Sequence, residues 1–153
     1  MKTPPIKRDK ALIQVSRDHH HGLLLCWKIR TGFTKGVAIE RIKRYIDWFF
    51  KTHLVPHFEL EEKYIFPILG DKDELVKRAL TEHRRLIRLF TETTSISNSL
   101  GLIEEELEQH IRFEERVLFK EIQKVASKEQ LKTISELHAE TNVQDNTEDE
   151  FWK

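Results

Sequence analysis

The residues best suited to chemistry in this chain are its histidines and glutamates. Of eight histidines, His57 and His110 each stand four residues before a glutamate, Glu61 and Glu114. On a helix, positions i and i+4 project the same way, one turn apart. Each pair can therefore hold a cation between imidazole and carboxylate, or let its carboxylate bridge two cations. The spacing alone is weak evidence, because eight histidines and nineteen glutamates in 153 positions give about one such pair by chance.

The surroundings are stronger. Residues 57–66, HFELEEKYIF, align with residues 110–119, HIRFEERVLF. Histidine, a Glu-Glu doublet, a basic residue, an aliphatic and a phenylalanine fall at matching offsets. Upstream, Asp18-His19-His20 precedes Leu23 and Leu24 as Glu82-His83 precedes Leu86 and Ile87. The chain reads as one helical hairpin used twice.

Apolar periodicity supplies the elements that must position these residues. A first helix is expected over about Lys10–Thr31, after a non-helical start at Pro4 and Pro5, with Leu12, Leu23, Cys26 and Trp27 on one face. Gly32 and Gly36 bracket a loop. A second helix is expected over about Val37–Phe66, with Ile42, Ile46, Phe49, His53, His57, Glu61 and Tyr64 inside. Pro56 should kink it, because proline lacks the backbone N–H. A third runs over about Lys72–Thr93, with Val76, Leu80, His83, Ile87 and Phe90 on one side. Ser95–Ser99 reads as a loop. A fourth covers about Leu100–Val125, with Ile103, Leu107, His110, Glu114, Leu118 and Ile122 inside. Ser127 and Gln130 have the spacing of a capping box for a short helix ending at Ala139. Residues 140–150 are polar and acidic and are expected to fray, while Phe151 and Trp152 are able to dock back. No segment alternates like a strand. The expected fold is a single all-α domain over 1–153, an up-down-up-down antiparallel four-helix bundle at about 10–125 with a short C-terminal helix.

On that bundle His53, His57, Glu61, His83, His110 and Glu114 fall on faces that should be buried. A buried, unpaired carboxylate costs several kcal/mol, so two of them beside several imidazoles call for a shared cation. On the first helix the apolar moment centres near His19. The spacing of Leu23, Leu24 and Trp27, matched to Leu86, Ile87 and Phe90, favours His20. His20 is slightly favoured, and both remain candidates. His21 points to the polar side. His53 is open between ligand, outer partner and packed residue, and His138 is read as a surface residue. Trp27, Trp48, Phe49, Phe50, Tyr64, Phe66 and Phe119 are read as core.

In order along the chain, Asp18-His19-His20, His57/Glu61, His83 and His110/Glu114 resemble the hemerythrin-like (HHE cation-binding) family, over about residues 10–125. The resemblance implies a non-haem centre of two iron ions, bridged by Glu61 and Glu114 and an oxo or hydroxo group. Zinc or manganese would also suit imidazole and carboxylate donors without thiolate. It further implies binding or sensing of a small diatomic ligand, oxygen or nitric oxide, or of iron status. Oxygen-carrying members have a second histidine where this chain has Ile87, and a carboxylate five residues after the helix-four histidine, where both Glu114 and Glu115 are present here. Sensing or redox turnover is therefore expected in place of oxygen transport. The alternatives are a di-iron oxidase, an iron-donating repair protein, and a metal-free interaction bundle. Repair members often carry an additional N-terminal cysteine-bearing region, which is not seen here.

Composition narrows the field further. The chain has 26 basic and 26 acidic side chains, five glycines and four prolines, which disfavours collagenous and low-complexity classes. Eleven of the basic and three of the acidic residues fall in 1–44. That imbalance is read as a solvated helix face, with no nucleic-acid partner expected. Cys26 is the single cysteine, which excludes an intramolecular disulfide and a thiolate-only zinc site. No apolar run reaches the ~18–20 residues of a membrane span, and MKTPPIKRDK lacks a signal-like apolar stretch. A cytoplasmic setting is expected.

Overall fold

A computed structural model describes residues 8–139 and 144–153. Pro4 and Pro5 lie outside it, as do residues 140–143. The Asp9 carboxylate accepts the Ala11 N–H at 2.9 Å and starts α1, Lys10–Thr34. Gly36 ends it at φ 68, while the Val37 N–H returns to Gly32 O at 2.9 Å. A left-handed residue after the last turn is a common helix stop, and glycine adopts it without strain.

The second rod is continuous from 39 to 65 but changes pitch. It comprises α2 (Ile39–Phe49), a π turn (Phe50–Leu54), α3 (Val55–Leu60) and a second π turn (Glu61–Ile65). The N–H of Val55 bonds to Phe50 O and that of Phe66 to Glu61 O, five residues back. Such widened turns hold one extra residue and often mark functional sites. The first ends two residues before Pro56, the site of the expected kink, and the rod continues through the proline. A short 3-10 turn at Phe66–Ile68, which contains Pro67, and then Gly70 (φ 93) close the rod.

Asp73 caps α4, Glu74–Phe90, accepting from Leu75 N at 2.8 Å and Val76 N at 3.3 Å. The last rod comprises α5 (Ile96–Phe113), a π turn (Glu114–Leu118) and α6 (Phe119–Val125). It begins four residues before the expected start. Only Ser95 of the expected 95–99 loop lies outside the helix, at φ 50, and its carbonyl accepts the Ser99 N–H at 3.0 Å. The capping box forms as expected before α7, Lys128–Ala139: Ser127 N bonds to Gln130 Oε1 at 2.9 Å and Gln130 N to Ser127 Oγ at 3.1 Å.

The described residues are helical, without strands, and none of their helices is long and apolar enough to cross a membrane. Two apolar clusters fill the interior. One gathers Leu25, Ile29, Ile42, Ile46, Phe49, Leu86, Phe90 and Ile103. The other gathers Val15, Ile65, Phe66, Val76, Phe113, Leu118, Phe119 and Ile134. Along the rods, His19, Glu61 and His83 fall between residues of the two clusters.

Three expected core positions face outward: Trp27 (48% exposed), Tyr64 (41%) and Ile87 (36%). The π turn explains Tyr64. Its extra residue brings Ile65, fully buried, back to the inner face. On α1 the inner face runs through Leu25, Cys26 and Ile29, and on α4 through Leu86 and Phe90.

The described part of the acidic tail does not fray. Phe151 and Trp152 are buried. Asp145 accepts from Lys28 Nζ at 3.0 Å and from the Tyr45 hydroxyl at 2.6 Å, and Asp149 takes Arg41 through two bonds at 2.7 and 3.0 Å. Gly32 makes room for this docking, since a Cβ there would stand 2.9 Å from both Ile42 and Phe151.

Candidate metal centre

Two groups of buried ligand atoms lie in the interior, those of each group all within 4.8 Å of one another: His19, His57, Glu61 and Glu114, and Glu61, His83, His110 and Glu114. The two carboxylates belong to both groups. Each rod contributes at least one residue. Glu61 and Glu114 each occupy the first position of a π turn, one turn after His57 and His110, so the sequence repeat extends to the backbone.

Every histidine in the groups is held at Nδ1 by a carboxylate. Carboxylates only accept, so Nδ1 carries the proton and donates. His57 donates to Asp18 at 3.0 Å and His110 to Glu82 at 2.7 Å. His83 donates to Glu62 at 2.8 Å and His19 to Glu115 at 2.5 Å. The pattern is two-fold. The acid before the first histidine of each hairpin holds the second, and the acid after each glutamate crosses to the other hairpin.

With Nδ1 engaged, the four Nε2 atoms face inward. All four, and all four carboxylate oxygens of Glu61 and Glu114, are buried without a hydrogen-bond partner. They crowd one another: His110 Nε2 stands 2.7 Å from Glu114 Oε1, and the Nε2 atoms of His57 and His83 each 3.2 Å from Glu61 Oε1. Native interiors rarely leave such atoms unpaired. Four imidazole nitrogens and two shared carboxylates match the donors of a metal site, and a carboxylate partner on the far ring nitrogen is the usual support for a ligating histidine.

The electrostatics agree. Burial pulls the His57 imidazole toward its neutral form, but the charge of Glu61 and the Asp18 hydrogen bond outweigh it and raise it to about 9. His110 is likewise raised to about 10 against burial by Glu114 and Glu82. His19 is pushed well above the usual range by Glu114, Glu115 and Glu61, again against burial. Burial drives the Glu61 carboxyl up, yet His57 and His19 hold it well below the usual range. The carboxylates thus favour positive charge at the imidazoles.

Of the sequence candidates, His19, His57, Glu61, His83, His110 and Glu114 come together. His20 does not: it is exposed, and His19 takes the inward position that the sequence leaned against. The pattern that favoured His20 required Trp27 and Ile87 inside, and both face out. His53 joins neither group; it stacks on Phe49 at 5.1 Å between ring centroids. Glu115 also lies outside the groups and serves as the clamp on His19. His138, read as a surface residue, instead reaches Asp18 at 2.9 Å with its side chain 14% exposed. Sequence reasoning missed the clamping role of Asp18, Glu62 and Glu82, although all three stood inside the repeated motif.

Phe58 stacks on His83 with centroids 3.7 Å apart, and Phe119 on His19 at 5.3 Å. On the side of His19 and His57, Gly22, Phe49, His53, Leu54, Phe58, Leu107 and Ile111 enclose a cavity that also touches His110 and Glu114. The cavity has room for one water-sized molecule.

The fold and site define a helical protein with buried His/Glu groups able to hold metal. Residues 10–101 match the protein-family model described as the Hemerythrin HHE cation binding domain, and the chain belongs to that family. The match includes His19, His57, Glu61 and His83; the fold adds His110 and Glu114 from beyond it. Neither the search of curated proteins nor that of solved structures found a match.

Proposed function

We propose that this protein is an up-down-up-down bundle holding a carboxylate-bridged pair of non-haem iron ions, and that it binds or senses oxygen or nitric oxide. The observation that carries the reading is the set of eight unpartnered donor atoms in two groups sharing Glu61 and Glu114. His19 and His57 would hold one ion, His83 and His110 the other, and the glutamates both. Iron bound there supplies a redox-active Lewis acid for a diatomic ligand, a role zinc would not fill. The carboxylate clamps orient each Nε2 inward and strengthen it as a donor. Phe58 and Phe119 shield the imidazoles from water, and the cavity beside His19 and His57 has the size for a small ligand. The setting we propose is the reducing cytoplasm, consistent with a single buried Cys26.

A second reading, a di-iron oxidase or iron-donating protein, is favoured by the two imidazoles and two shared anionic carboxylates in each group. Such donors stabilise ferric over ferrous iron and favour turnover over reversible carriage. The deciding experiment is anaerobic iron reconstitution with metal counting, followed by optical spectra with oxygen and nitric oxide. Two irons per chain and an oxygen or nitric oxide adduct formed without catalytic turnover support binding or sensing, while oxygen held reversibly over cycles under vacuum would mark a carrier instead. Irreversible oxidation in air supports turnover. A protein that takes up no metal is an interaction bundle, and the proposal fails.

A further inference from the structure

The four clamps on Nδ1 differ in what holds them. Glu82 receives His110 on Oε1 and Arg78 on Oε2, the latter at 3.0 Å from one turn earlier on α4. Glu115 receives His19 on Oε1 and Ser16 on Oε2 at 3.0 Å, with Arg8 also on Oε2. Glu62 holds His83 with its side chain 41% exposed. Asp18 receives two imidazoles on one oxygen: His57 Nδ1 at 3.0 Å and His138 Nε2 at 2.9 Å, both to Oδ2.

His138 lies on α7, which packs against α1 and against the π turn Glu61–Ile65 and is not one of the four ligand-bearing rods. In the second hairpin the outer partner of the clamp, Arg78, is local to the same helix. In the first it comes from a separate element. The neighbouring recess, lined by Asp18, Thr52, His53, Pro56, His57 and Leu137, brings α7 to the same half of the site. The two-fold pattern of the ligands is therefore broken by α7.

We propose that His138 is a positioning residue for one of the two metal positions. It holds Asp18 against His57, so its bond supports the His19/His57 position, while the clamps of His83 and His110 are Glu62 and Glu82. The inference rests on the two-ion reading above. Asp18 is one methylene shorter than the other clamps, and its side chain is 28% exposed. Without its second donor it can turn toward water and release the Nδ1 proton of His57, loosening the ring that presents Nε2. Removing a direct clamp typically lowers metal affinity 10–100-fold. One step further out, the expected loss is roughly three- to tenfold, confined to one ion.

The test is stepwise anaerobic titration with Co(II) or Fe(II) of wild type, His138→Ala and His138→Gln, with thermal midpoints of the metal-free forms. The expected result is one weakened step in His138→Ala, rescued in His138→Gln, whose amide can still donate to Asp18. On a His83→Ala background His138→Ala should still weaken the remaining ion; on His19→Ala it should have no effect. Unchanged affinities in His138→Ala overturn the inference, as does equal weakening of both ions with a fallen midpoint, which marks a merely structural role. Wild type that takes up fewer than two ions rejects the two-ion reading, and this inference with it.

Discussion

Among the described residues, charge is buried in two places and treated oppositely. Near the C-terminal tail, Lys28 is 4% exposed and fully engaged: Nζ bonds to Tyr45 at 2.6 Å and Asp145 at 3.0 Å, and lies 3.9 Å from the centre of the Trp152 ring. In the ligand layer, eight buried atoms have no hydrogen bond outside their own group and crowd one another. A polar cluster that only holds a fold is satisfied by the protein itself. One that awaits a cation is satisfied on its outer side and left open on its inner side. The clamped Nδ1 and open Nε2 of each ligand histidine carry that distinction within a single ring.

The largest effect that would sharpen the contrast is on metal content. Glu61→Ala or Glu114→Ala removes a donor common to both groups, and elemental analysis after reconstitution should show both ions lost. Loss of only one would deny the sharing. Loaded wild type should also melt roughly 10 °C above the metal-free form, since ligand at 1,000 times its Kd adds about 4 kcal/mol. Equal midpoints would place the ligand layer in the same category as the Lys28 cluster.

Next is Lys28→Met. Asp145 is about half exposed, so the lost ion pair is partly screened, and the cost should be about 1–3 kcal/mol. Denaturant midpoints should fall while metal stoichiometry stays unchanged. A variant that loses metal would couple two regions that the comparison keeps apart.

The pH responses should also differ. In the metal-free protein, His57 at about 9 and His110 at about 10 lie above the ~6.5 of an unfolded imidazole. Stability from their pairing with Glu61 and Glu114 is fully present below pH ~6.5 and is lost as pH rises through 9–10. Metal competes with those protons, so loading at pH 7 should release about two from this pair. Calorimetric titration in buffers of different ionisation enthalpy measures the release. No proton release would contradict the raised imidazoles. Burial and Asp145 push the Tyr45 phenol upward, and the Asp145 carboxyl is lowered despite burial by Tyr45 and Lys28. The tail cluster should therefore be flat across pH 6–9.

The smallest effect concerns two neighbours. His20→Ala should leave metal content unchanged and stability within about 0.5 kcal/mol, as for other exposed substitutions. His19→Ala should lose one ion of two. The reverse outcome would restore the sequence's preference for His20.

That preference shows where sequence reading reaches its limit. Periodicity and the repeated HxxxEE motif determined that the chain is helical, roughly where its rods lie, and that His57, Glu61, His83, His110 and Glu114 share inward faces. These follow from local rules, because helical spacing alone sets which residues point together. The choice between His19 and His20 needed the rotation of α1 against its neighbours, a difference of ~100° that adjacent residues cannot settle themselves. The π turns were also hidden. Their hydrogen bonds run five residues back and turn Tyr64 outward and Ile65 inward. Only the tertiary structure decided that Asp18 and Glu82 hold the second histidine of their own hairpins, that Glu62 and Glu115 cross between hairpins, and that α7 brings His138 to Asp18. Those contacts join residues 21 to 120 positions apart, and no local pattern records which distant side chains share a space.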